Sequence, residues 1–72
     1  MNRANIIGLQ MKAIRKRLKI TQSDLSAKCC VLGFDCTRVT IAKIELGTRQ
    51  VTDLEAKVVS QALKVSVQEL FE

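Results

Sequence analysis

The stretch TRVTIAKIELG, residues 37–47, sets Arg38 and Lys43 five positions apart, with one acid, Glu45, just beyond them. A guanidinium fork and an ammonium on one short segment are donors suited to anionic or acceptor-rich partners, and the fork matches the paired O6 and N7 acceptors of a guanine edge. Neither group makes or breaks bonds unaided. The chain has no His and no Tyr, and its 72 residues leave little room for an enclosed pocket. Catalysis is therefore not expected. Cys29, Cys30 and Cys36 are odd in number with no His to complete a zinc set, which marks them as reduced, small apolar side chains and leaves no metal or cofactor call.

Charge supports a polyanionic partner. Residues 1–50 carry ten bases and three acids, net +7, whereas residues 51–72 carry two bases and four acids, net −2. A basic front of this kind attracts nucleic acid first among polyanions. No apolar run approaches the roughly 20 residues of a membrane span, and no signal peptide is recognisable, so the expected location is the cytoplasm. The length predicts one domain over residues 1–72, near the lower limit for a core without disulfides or metals.

The elements that must carry these residues are helices. There is no Pro, and no sustained alternation of period two to support a strand. Ile7, Met11, Ile14 and Leu18 follow the 4, 3, 4 spacing of an amphipathic helix, predicted over residues 4–18. Thr21 with Asp24, Thr52 with Glu55 and Ser66 with Glu69 have capping-box spacing, with Ile20 and Leu25, and Val65 and Leu70, as flanking staples. Thr37 has no acidic partner, but its hydroxyl before RVTIAKIE still predicts a helix start, and Gly47 a C-cap. The predicted helices span 4–18, 21–30, 37–46, 52–63 and 66–71.

Leu25 and Cys29 on the second helix, with Ile41 and Ile44 on the third, supply small apolar faces that can pack as a helix-turn-helix. Arg38, Val39 and Lys43 then point outward. In such a unit the N-terminal residues of the second helix meet base edges in the major groove, which is where Arg38 stands.

At these residues the sequence resembles a family. TQSDLSAKCC, TRVTIAKIELGTR and QALKVSVQELF are similar to the XRE/Cro-type helix-turn-helix domains of phage repressors, over Ile14 to Phe71. The most specific matches are Gln22 with Leu25, and Ile41 with Glu45 and Gly47. The resemblance implies an all-α, five-helix, lambda-repressor-like DNA-binding domain acting in transcription on double-stranded DNA, usually as a homodimer. Two departures stand out. Ser26 replaces the usual alanine, and the 16 residues from Leu25 to Ile41 make a longer link than in the shortest members, the excess lying in CCVLGFDC. Gly33 is expected to make the turn there, with Leu32 or Phe34 folding back on the core.

The resemblance also implies roles. The glutamate before the glycine pairs with an arginine of the first helix in related domains, and Arg15 is the matching position; the alternative leaves Glu45 in solvent, beside Arg49. Gln22 corresponds to a glutamine that contacts phosphate and braces base-reading side chains. Arg38 is the candidate for guanine, Lys43 for a base or a phosphate, and Val39 and Thr40 for a thymine methyl. Thr40 is the poorer of that pair, because it can face the second helix. Thr37 lies on the same surface, and Arg49 is assigned to backbone phosphate, with Arg17 and Lys19 as further phosphate contacts. Val67, Leu70 and Phe71 form an apolar face that either closes the domain's own core, the expected place of Leu70, or, as in the family, meets its copy across a two-fold axis and sets recognition helices about 34 Å apart. The expected function is that of a sequence-specific DNA-binding regulator, a repressor on a palindromic operator. An antitoxin-like protein with a toxin partner is the alternative.

Overall fold

The computed structural model describes residues 3–72, which form five helices: α1 (Gly8–Arg17), α2 (Gln22–Val31), α3 (Arg38–Leu46), α4 (Asp53–Leu63) and α5 (Val67–Leu70). Among the described residues there is no strand. Four of the five starts carry reciprocal side-chain caps, at Thr21, Thr37, Thr52 and Ser66. The one at Thr37 uses an unexpected partner. Thr40 stands where an acid normally sits, and its hydroxyl accepts the Thr37 N–H at 3.2 Å while the Thr37 hydroxyl accepts the Thr40 N–H.

α1 starts at Gly8, four residues later than its apolar spacing predicts. The Asn5 side-chain carbonyl takes the Gly8 N–H at 2.8 Å, and the Ala4 N–H is drawn to the carbonyl of Gly47 at 2.7 Å. Those bonds compete with helical ones, so the segment before Gly8 runs along the end of α3. α1 also ends early. Leu18, expected in the buried stripe, is the C-cap and is 46% exposed, because Lys19 turns the chain away at φ 60°. Ile20, half-buried, packs on the core beyond that turn.

The core joins Ile7, Met11 and Ile14 to Leu25 and Cys29, Ile41 and Ile44, Val59 and Leu63, and Leu70. α3 packs on α2 and α1, and α4 bridges α2 to α5. Each buried aliphatic side chain here contributes about 1.5–3 kcal/mol of transfer free energy, so burial drives the assembly and the caps decide where helices begin.

The long link between α2 and α3 is held, not loose. Gly33 takes φ 101°, a conformation that disfavours any side chain, and lets the Phe34 N–H return to the carbonyl of Cys29 at 2.9 Å. Phe34 thereby folds onto the core, while Leu32 remains 44% exposed. The Cys30 thiol donates to the carbonyl of Cys36 at 3.1 Å, and Cys36 is itself buried. Burial, reinforced by the neighbouring thiols, pushes Cys29 up to about 12, so it is a neutral packing group. All three cysteines are unbridged, and no group of metal-ligating side chains occurs among the described residues. No helix of the described residues is long and apolar enough to cross a membrane.

Candidate nucleic-acid interface

A polar chain of side chains runs from the core to the surface at the start of α3. Arg15 and Glu45 are 8% and 5% exposed and face one another across α1 and α3. Arg15 donates from Nε to Glu45 Oε2 at 2.7 Å and from Nη2 to Oε1 at 3.0 Å, the parallel two-point geometry of a guanidinium on a carboxylate. Its remaining Nη1 donates to the carbonyl of Ile20 at 2.9 Å. The hydrogen bond to Glu45 outweighs desolvation and holds the Arg15 guanidinium more firmly protonated than usual. Arg49, four residues further on, does not compete for this carboxylate, because it pairs with Glu55.

Glu45 has a third donor. Gln22 Nε2 reaches Oε1 at 3.0 Å, which leaves the amide oxygen of Gln22 to accept from Arg38 Nη1 at 3.1 Å. Only one orientation of the Gln22 amide satisfies both neighbours. The result is a relay, Arg15 to Glu45 to Gln22 to Arg38, in which a buried ion pair orients an exposed guanidinium at the first position of α3. Arg15, Lys16, Lys19, Gln22 and Arg38 line a concavity of about 470 Å³ beside the N-terminus of α2, with no acid on its wall. Positive side chains and the unpaired N–H groups of a helix start both favour an anion there. Lys16 was not singled out in the sequence, since nothing in a lone lysine on an exposed helix face distinguishes it.

The remaining candidates divide. Val39 is 51% exposed on the outer face of α3, and Lys43 is exposed beyond it. Arg17 and Lys19 are exposed at the end of α1. Thr37 and Thr40 use their hydroxyls in the α3 cap, so both serve the helix start.

Arg49, expected on phosphate, already has partners within the protein. Its guanidinium grips Glu55 at 3.1 and 3.2 Å, donates to the carbonyl of Gln50 at 2.9 Å and lies 5.6 Å from the centre of the Phe34 ring. The Arg49 hydrogen bonds hold the Glu55 carboxyl below its ordinary value. This partly exposed pairing ties the segment after α3 to the first turn of α4, and it makes Arg49 a bracing group of the α3–α4 link. Leu70 is fully buried against α1 and α4 and cannot face a second copy, whereas Val67 and Phe71 are 41% and 51% exposed.

Comparison with known proteins agrees with this layout. The helix-turn-helix family model matches residues 11–70, which holds both helices of the unit and the whole relay. The chain belongs to the XRE-type helix-turn-helix family. It is a DNA-binding transcription regulator and not an enzyme. The chain is also similar to the crystal structure of the restriction-modification controller protein C.AhdI from Aeromonas hydrophila, with a TM-score of 0.80 at 22% identity over 90% of this chain and 87% of that one. At that identity the likeness concerns the fold. No curated protein sequence matches the chain. Within the family fold, α2 and α3 are the helix-turn-helix and α3 is its second helix.

Proposed function

We propose that residues 1–72 act as one sequence-specific DNA-binding domain that represses transcription from a palindromic operator in the cytoplasm. It binds as a homodimer with α3 of each copy in the major groove. The carrying observation is the held state of Arg38. An arginine side chain that must be frozen on binding loses rotamer entropy, and the Gln22 bridge offsets part of that cost beforehand. Gln22 and Arg38 face the duplex together, Lys16 and Lys19 approach phosphate, and Val39 meets a thymine methyl. The dimer face uses Val67 and Phe71. The fold likeness to a restriction-modification controller protein supports a regulatory reading of this domain.

Reader and anchor fail differently. Arg38→Ala should lose about 1–3 kcal/mol on the preferred site and relax the preference at one base pair, while Lys16→Ala should weaken all duplexes alike and lower the salt slope by about one. Both variants are to be titrated against every single-base change of the preferred site. A profile whose shape survives Arg38→Ala but changes with Lys43→Ala would move the base reader along α3.

A further inference from the structure

The segment before α1 is fastened to the far end of α3. Arg3 spreads its guanidinium over the last carbonyls of that helix, with Nη2 donating to Glu45 at 3.0 Å and Ile44 at 3.4 Å, and Nη1 to Leu46 at 3.4 Å. Asn5 Nδ2 donates to the carbonyls of Ile44 at 3.0 Å and Arg49 at 2.8 Å, and the Ala4 N–H to that of Gly47 at 2.7 Å. Arg3 Nε is buried without a partner, and the three hydrogen bonds of the guanidinium all end on backbone carbonyls. Two glycines make the room: a Cβ on Gly8 would collide with the Ile44 carbonyl, and one on Gly47 would sit 2.6 Å from the Arg3 guanidinium carbon.

A helix C-terminus leaves its last carbonyls unpaired and carries roughly half a negative charge, felt over the final turn. Donors on those carbonyls hold the helix end in place. We infer that Arg3 and Asn5 are positioning residues for DNA recognition, gripping the C-terminus of α3 to fix its tilt in the groove. The relay ties the side chains of Arg38 and Glu45 to α1 and α2, and the strap grips the final carbonyls of the same helix. The inference rests on α3 being the recognition helix.

Arg3→Met keeps the aliphatic stem and removes the donors; Arg3→Lys keeps the charge but cannot span three carbonyls. In the free protein, Arg3→Met should speed amide exchange at Gly47 and Thr48 about ten-fold and leave α4 unchanged, the effect of a locally weakened helix end. It should weaken the preferred duplex about ten-fold, a random duplex much less, and leave the salt slope intact, because no phosphate contact is lost. Arg3→Lys should recover only part of both effects. Equal losses on both duplexes with a salt slope lower by about one would make Arg3 a plain phosphate contact and overturn the inference, as would unchanged exchange in both variants. Should the unaltered protein prefer no duplex, the functional reading fails by itself, and the exchange result still decides whether the strap exists.

Discussion

Glu45→Gln should destabilise the protein by about 3–5 kcal/mol, since it leaves the Arg15 guanidinium buried without its counter-charge. Arg15→Met should cost about as much by stranding the carboxylate with Gln22 as its main remaining donor. The double change should cost clearly less than the sum, because it removes both buried charges together. Urea unfolding of all four proteins measures this directly, and simple additivity would contradict a coupled pair. A domain of this size has about 5–15 kcal/mol at most to lose, so either single variant should be unfolded in part at 37 °C. The pair is not evidence of net stability, because an apolar pair of similar volume can do as well. Its worth lies in the third bond of Glu45, through Gln22 to Arg38.

Gly8→Ala should also destabilise, by about 1–3 kcal/mol, although alanine in a helix is normally better than glycine by about 1 kcal/mol. The added methyl would meet the Ile44 carbonyl, with Arg3 Nη2 and Asn5 Oδ1 at 2.6 and 2.9 Å. Arg3 can swing aside, but the carbonyl cannot retreat cheaply, since it belongs to α3 and already accepts from Asn5. Thermal unfolding shows the sign. A stabilised Gly8→Ala protein would mean that α1 does not approach the end of α3 as closely as described.

The two glycines differ in how visible their tasks were. Gly47 could be read as a C-cap because the cue is local, a glycine directly after an amphipathic run, and it does take the left-handed φ of 83°. Gly8 gave no cue, since its requirement comes from residue 44. The same division runs through the fold. Helix starts at Thr21, Thr52 and Ser66 depend on a partner three residues away and were legible. The start of α1 was misplaced because Ala4 and Asn5 bond to residues 44–49, a pairing that periodicity cannot contain. Leu18 had the right spacing but fell where the helix stops.

The candidate site shows the same limit. The apolar faces of α2 and α3 implied that Arg38 and Lys43 point outward, whereas the partner of Glu45 came only from the family resemblance. The engagement of Arg49 within the protein was not legible, because its position just past Gly47 gave no sign of a partner six residues on. Its partner Glu55 had already been given a role in the Thr52 cap, and one carboxylate does both, accepting from the Thr52 N–H at 3.1 Å and from Arg49. Leu70 could be read either as part of the partner face or as closing its own core, and α1 and α4 close over it.

The central claim is that this domain selects a symmetric DNA sequence through α3, and selection of bound sequences from a random duplex pool tests it most directly. The account predicts an enriched palindrome whose half-sites lie about 10 base pairs apart, centre to centre, with a guanine in each half that Arg38→Ala no longer enriches. A pool that stays random after repeated rounds, or a consensus unaltered by substitutions at both Arg38 and Lys43, would contradict it.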